Sequence, residues 1–239
     1  MQTDWQKRNP QEVKKMFSRV SRVYDIVNHA MCFGLDVLWR KRLVKESLKS
    51  TASKSPLILD MACGSGDVAI GIAKANQAAK ILAADFCADM LKVARAKVLK
   101  AGFADRIEIA EADCRHLSFE DATFDAVTIS FGFRNFENRK ECLKELARVL
   151  KAGGKIAMLE VARANKIMQI PQEIFMGKFV PTIASICGGN ADDYKYLAKT
   201  TLEYPRNSEI KKMFEEAGFK NVKIRVMGFG LVAITSAHK

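Results

Sequence analysis

The sequence predicts an α/β fold: a doubly wound, mostly parallel seven-stranded sheet with an antiparallel strand pair at its C-terminal end. Three observations carry this expectation. Between residues 56 and 162, short apolar runs alternate with amphipathic stretches, the pattern of a parallel sheet covered on both faces. The first run stops at Gly64-Ser65-Gly66, a glycine turn leading from strand into helix. The last two runs, VKIRVMGF and LVAITSA, are separated by little more than Gly230 and read as an antiparallel pair.

In chain order, residues 11–27 and 35–50 read as helices, and the polar run STASKSP ends at Pro56. PLILDMAC is the first strand and DVAIGIAKAN the helix after the glycine turn. AKILAAD is a strand, ADMLKVARAKVLKAG a helix closed by Gly102, and RIEIAEAD a strand. FDAVTISFG is the fourth strand, NRKECLKELARVLK a helix, and a double-glycine turn leads into the fifth strand, KIAMLEVA. Residues 166–202 interrupt the alternation with largely helical sequence punctuated by proline. The expected organisation is an N-terminal helical cap over residues 1–55 and a Rossmann-like domain over 56–239 that carries this helical insertion.

The chain has 239 residues, 49% of them apolar and 28% charged, enough for one large core without a disulfide or metal staple. No apolar stretch reaches the ~18 residues of a membrane span. MQTDWQKRNPQEVKK is polar where a secretory leader places its apolar core, so the expected location is cytoplasmic. Cys32, Cys63, Cys87, Cys114, Cys142 and Cys187 are at least 24 residues apart, and the histidines number three. Reduced thiols and no metal site are expected.

The formal charge is +12. Residues 1–55 hold 12 basic and 5 acidic side chains, residues 56–165 hold 16 and 15, and residues 166–239 hold 11 and 7. Basic ends around a neutral middle suit a nucleic-acid partner, an anionic lipid surface or simply a solvated exterior. In QEVKKMFSRVSRVYDIV, Val13, Met16, Phe17, Val20 and Tyr24 form an apolar stripe, with Lys14, Lys15, Arg19 and Arg22 off it. This basic amphipathic helix, with Trp5 upstream as an interface anchor, either packs on the protein or faces a membrane.

The glycine turn admits two ligand classes. Gly64-Ser65-Gly66-Asp67-Val68-Ala69 satisfies the G-x-G-x-x-A form of a dinucleotide fingerprint. However, Asp60 ends the strand before the turn and Asp67 begins the helix after it, placing negative charge where a pyrophosphate needs bare N–H groups. S-adenosylmethionine, with an ammonium, a sulfonium and a single carboxylate, matches that charge better. Asp85 ends the second strand, where an acid accepts the ribose hydroxyls. Asp113 ends the third, placed to accept from the adenine amino group.

These residues also resemble a family, the menaquinone/ubiquinone biosynthesis C-methyltransferases, over about residues 12–236. Tyr24-Asp25-Ile26-Val27-Asn28 with Gly34 and Trp39-Arg40 is similar to the family's N-terminal block. ILDMACGSGD resembles its cofactor turn, TISFGFRNFENR its fourth-strand motif and RVLKAGGKIAMLEV its fifth-strand motif. GGNADDYKYL with Pro205 beyond is the most specific match, since general methyltransferases lack it. The chain departs from the family at Cys32, Asp36, Ala152 and Ala162, where serine, histidine, proline and serine are usual. The resemblance implies methyl transfer from S-adenosylmethionine to a ring carbon of a polyprenylated quinol. It places cofactor contacts on Ser65, Asp85, Asp113, Cys114 and Ser130. Asp60, Gly64, Gly66, Phe86 and Met90 complete the expected set.

Carbon methylation requires an electron-rich ring carbon, which a quinol supplies once a hydroxyl ionises. A free phenol ionises near pH 10, so a fixed cation in the site promotes the step. Arg134 is the expected cation and Asn135 the group orienting the hydroxyl. An arginine is a poor proton acceptor, so Tyr24, Asp25 and His29 are the candidate acceptors if the N-terminal segment folds over the pocket. IMQIPQEIFMGKFVPTIASIC forms either an adaptable apolar groove for the isoprenoid tail or ordinary core. With the basic N-terminal helix, the groove reading suggests transient contact with the inner membrane face.

An RNA methyltransferase is the alternative suggested by charge. Yet Ser130-Phe131-Gly132-Phe133 lacks the prolines of amino-group methylation motifs, and none of the five prolines precedes a cysteine. No nucleic acid is expected. A non-catalytic cofactor-binding module and a dehydrogenase complete the alternatives, and the oligomeric state is open, a homodimer included.

Overall fold

The computed structural model describes residues 10–21, 23–49, 53–163 and 166–239. Its sheet is built from β1 (Leu57–Met61), β2 (Lys80–Asp85), β3 (Ile107–Glu111), β4 (Phe124–Ser130), β5 (Leu150–Val161), β6 (Lys220–Met227) and β7 (Val232–His238). The strand order is β3-β2-β1-β4-β5-β7-β6, with β7 antiparallel to both of its neighbours. Order reverses between β1 and β4, which pair in parallel through Leu59↔Val127 and Met61↔Ile129. Ligands of open α/β sheets settle at the carboxyl ends of such a strand pair.

Side chains alternate between two cores, as the two-residue strand period requires. Leu59, Met61, Val127 and Ile129 face one core with α6 (Arg139–Val149) and α10 (Asn207–Glu216). Ile58, Ile81 and Ala157 face the other, with α3 (Leu35–Leu48) and α4 (Asp67–Ala75), so Trp39, Leu43 and Val44 of α3 belong to the sheet's own core. In a third cluster α1 (Pro10–Val20) meets Met90 of α5 (Ala88–Ala101), Val180 and Ala184 of α8 (Val180–Ile186), and Tyr194 and Leu197 of α9 (Ala191–Leu202).

Several sequence expectations change here. The first N-terminal helix is two, α1 and α2 (Tyr24–Met31). The stripe of α1 packs on the protein, with Val13, Met16, Phe17 and Val20 each at most 8% exposed. That burial is worth about 1.5–3 kcal/mol per side chain relative to water, and it leaves the stripe no free apolar surface for a lipid contact. Trp5 and Arg22 lie outside the described residues. Helix α6 stops at Val149, and β5 begins at Leu150 and runs through the double glycine. Helix α10 was not anticipated; it buries Ile210, Met213 and Phe214 at helical spacing. The insertion comprises α7 (Lys166–Ile174), a π-helical turn (Phe175–Phe179), α8 and α9. Among the described residues no helix is long and apolar enough to cross a membrane.

Candidate active site

A cavity of about 830 Å³ opens at the carboxyl ends of β1 and β4. It is roofed by α2 and the start of α3, and walled by the insertion and by the turn between β6 and β7. Four of its lining residues, Phe33, Ala62, Phe131 and Phe229, hold left-handed backbone without being glycine (φ 49°, 56°, 56° and 56°). Such residues each cost about 1–3 kcal/mol and collect at functional sites. Ala62 and Phe131 directly follow β1 and β4. Beside them Gly132 is obligatory, because a Cβ there would lie 2.5 Å from the Ala62 Cβ.

At one end of the cavity is the glycine turn. Gly64 (φ +55°) donates its N–H to Asp85 Oδ2 at 2.9 Å, and the Cys87 N–H donates to Oδ1 at 2.9 Å. Both carboxylate oxygens are thereby fixed at the end of β2, while burial raises the Asp85 pKa. Gly64, Ser65, Asp85, Phe86, Met90 and Ser130 of the expected cofactor set line this cavity, as does Asp67.

A polar girdle holds the roof to this turn. The Ser65 hydroxyl donates to Asp25 Oδ1 of α2 at 2.7 Å, and Lys97 of α5 donates to Asp25 at 2.8 Å and to Ser65 at 3.1 Å. Lys97 also pairs with Asp67. Arg40 of α3 pairs with Asp36 and lies 3.6 Å from Asp67. Sequence reasoning missed Lys97 and Arg40 as site residues. Arg40 stands in the quoted Trp39-Arg40 block, whereas Lys97 lies one turn beyond Ala94 of α5, which packs so close to Gly66 that a Cβ there would lie 3.3 Å from the Ala94 Cβ.

Four expected cofactor residues lie outside the cavity lining. Asp60 is buried within β1, where it accepts from the Ala69 N–H at 3.1 Å and the Thr128 hydroxyl at 2.7 Å. It is a strut between β1, β4 and α4, and burial pushes its pKa up to about 7. Gly66 serves as the left-handed N-cap of α4. Asp113 is turned aside by Arg115, whose Nε and Nη2 engage both of its oxygens at 2.6–3.1 Å and hold its pKa below the usual value. Cys114 is buried in the core with Cys142 of α6.

Beyond β4, Ser130 and a 3-10 turn (Phe133–Asn135) bring Arg134 and Asn135 to the cavity wall. Arg134 is 7% exposed, with Nη1 donating to Glu160 Oε1 of β5 at 2.7 Å and to the Phe131 carbonyl at 2.8 Å. Glu160 also accepts from the Arg134 N–H at 3.0 Å, so this buried cation carries its own counter-charge. Glu160 was not anticipated, although it is an acid near a strand end. By contrast, Ser130 Oγ and both amide atoms of Asn135 are buried without a hydrogen-bond partner among the described residues. Buried polar atoms without partners are rare, and Ser130 and Asn135 are both residues of the cavity lining, whereas Tyr194 and Tyr204, whose hydroxyls are also without partners among the described residues, are not.

Tyr24 lines the cavity with its ring edge-on to Phe17, centroids 5.9 Å apart. Burial raises its pKa, outweighing the field of Arg134. The hydroxyl is therefore neutral at pH 7 and can orient a ligand, but it is a poor acceptor for a proton. Asp25 is committed to Ser65 and Lys97. His29 lies outside the lining, with its side chain 57% exposed and Nδ1 2.9 Å from Asp36 Oδ1. Asp36 itself is buried and lines the cavity.

Beyond these groups the walls are apolar: Phe175, Met176, Phe179, Val180 and Leu197 of the insertion, with Leu231 opposite. Burial pushes the lining thiol of Cys32 up to about 11 and that of Cys63 well above its ordinary value. Neither is a thiolate nucleophile at neutral pH. Among the described residues no His/Cys/Asp/Glu group of three or more could hold a metal.

A model of the ubiE/COQ5 methyltransferase family matches residues 5–239. The demethylmenaquinone methyltransferase of Lactobacillus johnsonii is 36% identical over 225 residues, 93% of this chain and 91% of that protein. That of Thermus thermophilus is 36% identical over 220 residues, 92% and 97% of the two chains. Among solved structures, a SAM dependent methyltransferase from Aquifex aeolicus superimposes with TM-score 0.58 and 19% identity, covering 82% of this chain and 88% of that one. The cyclase SpnF gives 0.66 and 19% identity over 97% of each chain. The structural likenesses speak for the fold alone, which also hosts other chemistry. The family match spans nearly the whole length, and relatives above 30% identity agree with it: the chain belongs to the ubiE/COQ5 methyltransferase family and is an S-adenosylmethionine-dependent methyltransferase.

Proposed function

We propose that the enzyme methylates a ring carbon of a polyprenylated quinol, taking demethylmenaquinol to menaquinol or acting on the benzoquinol counterpart in ubiquinone synthesis. The observation that carries this reading is the composition of one cavity. A polar glycine-turn end is joined to a long apolar end through the unpartnered Asn135 amide and the buried Arg134. The relatives' names point the same way.

The residues present fit the methyl donor. Gly64 brings its backbone to the cavity, Asp85 offers a fixed carboxylate for ribose hydroxyls, and Ser130 Oγ has no partner among the described residues. Bound there, S-adenosylmethionine supplies a methyl group on a positively charged sulfur. The chain's own contribution lies at the ring. Asn135 orients the ring hydroxyl by accepting from it through Oδ1. Arg134 steadies the ring anion, less strongly than a bare cation would because Glu160 shares its charge. Tyr24 stays protonated and donates a hydrogen bond. Asp36, on the cavity wall and bonded to the exposed His29, offers the released proton a path to water.

The test is methyl transfer from S-adenosylmethionine to short-tailed demethylmenaquinol and its benzoquinol counterpart, with products identified by mass spectrometry. A ring-methylated product is expected. Tight calorimetric binding of S-adenosylhomocysteine with neither ring methylated would overturn the substrate assignment and leave the donor site standing.

A further inference from the structure

The rim of the cavity carries side chains that a protein in water ordinarily buries. Phe229 is 88% exposed, Phe33 77%, Phe179 55% and Ile174 47%, and all four line the same opening. They come from three separate places: the α2–α3 loop, the turn before β7, and the insertion. Single exposed apolar residues need no explanation, but a contiguous set around one opening marks an interaction surface. Two of the four, Phe33 and Phe229, are held in left-handed backbone, which normal turn chemistry would give to glycine. The Phe33 ring lies 6.0 Å from Phe175, which stacks on Phe179 at 6.1 Å, so the aromatic surface continues from rim to interior.

The insertion and the neighbouring α3 and β6 present cations. Lys41, Arg42, Lys178 and Arg225 are exposed, and none has an ion-pair partner among the described residues. Arg42 lies 3.5 Å from the Met227 sulfur, two residues before Phe229, and Lys178 adjoins Phe179. Of the exposed carboxylates on these stretches, Glu173 accepts from Gln169 and Asp192 pairs with Lys195. An aromatic rim flanked by unpaired cations is complementary to an anionic lipid bilayer, with rings at the headgroup boundary and cations against phosphates.

We propose that this rim, rather than the basic helix α1, is the face that docks on an anionic bilayer. The cavity then opens onto lipid, and a prenyl tail stays partly in the membrane while the ring enters. The proposal rests on the quinol reading for its purpose, but its test does not. The wild-type protein is expected to co-sediment with phosphatidylcholine vesicles containing phosphatidylglycerol at low salt, and to be released at high salt. A Phe229→Trp variant should shift its emission to the blue on the same vesicles. Reversing three charges (Arg42→Glu, Lys178→Glu, Arg225→Glu) should weaken vesicle binding roughly a hundredfold and slow turnover of vesicle-embedded long-tailed quinol, with detergent-dispersed short-tailed quinol turned over as before. Methylation of dispersed quinol by a protein that ignores vesicles would overturn the docking face alone. Vesicle binding without methylation of any quinol would overturn the substrate reading alone. A blue shift without lipid that grows with protein concentration would assign the rim to a second copy of the chain and overturn the bilayer.

Discussion

At the glycine-turn end of the cavity, Asp85, Ser65, Asp67 and Lys97 are all hydrogen-bonded within the chain; at the ring end, both amide atoms of Asn135 are buried with no partner among the described residues. The first end is set before any ligand arrives, because backbone N–H groups and strand termini fix it. The second holds polar groups at a cost that the fold does not recover, and that cost is the physical mark of groups kept for a ligand. The difference can be broken or sharpened by experiment.

The largest effect is expected from Asn135→Leu. Removing an amide that orients the ring should lower kcat by roughly 10²–10³-fold, the scale of losing a preorganised polar group in an active site. Affinity for S-adenosylhomocysteine should hold, and stability should not fall, because an unsatisfied amide has been removed. Urea unfolding beside steady-state turnover and calorimetry reads all three. Lower stability with unchanged turnover would make Asn135 a structural residue. Arg134→Ala should also abolish most turnover with donor affinity nearly intact, but it strands Glu160 and costs about 3–5 kcal/mol of stability. The paired variant Arg134→Met with Glu160→Gln removes both charges, so it should be inactive yet more stable than Arg134→Ala.

Next in size is a pH effect at Asp60, the carboxyl buried between the strands and α4. Its ordinary value is 3.8 and its folded value about 7, so the folded chain binds this proton more tightly than the unfolded chain does. That stabilisation is complete below pH 3.8, is lost as pH rises to 7, and leaves a buried charge above it. Relative to Asp60→Asn, the wild type should therefore lose on the order of 4 kcal/mol between pH 4 and pH 7. Urea midpoints of the two proteins across this range give the comparison, and parallel pH curves would mean that Asp60 is ionised throughout.

How much of this was legible in the sequence depends on how local each cause is. The sheet, the Gly64 turn and Asp85 were readable because strand alternation and a strand-ending acid are local signals. Lys97 was not, because its reach to Asp25 and Asp67 depends on how closely α5 packs on α4. The α1 stripe announced an apolar face without saying what covers it; Met90, Val180 and Leu197, far along the chain, do. Helix α10 was overlooked although Ile210, Met213 and Phe214 keep helical spacing. Phe33 and Phe229 gave no signal, since neither exposure nor a left-handed φ is written in a single residue.

The smallest expected effect is at Asp113, where local reading and geometry disagree. As a strand-ending acid it should contact adenine, yet Arg115 holds both of its oxygens and it lies outside the cavity lining. Asp113→Ala should remove a half-exposed ion pair, cost no more than about 1 kcal/mol, and leave S-adenosylhomocysteine affinity within about twofold. A tenfold or greater loss would instead mean that the donor draws Asp113 away from Arg115. The end of β3 would then belong with Asn135 among groups that await a ligand, and the line between the two ends of the cavity would move.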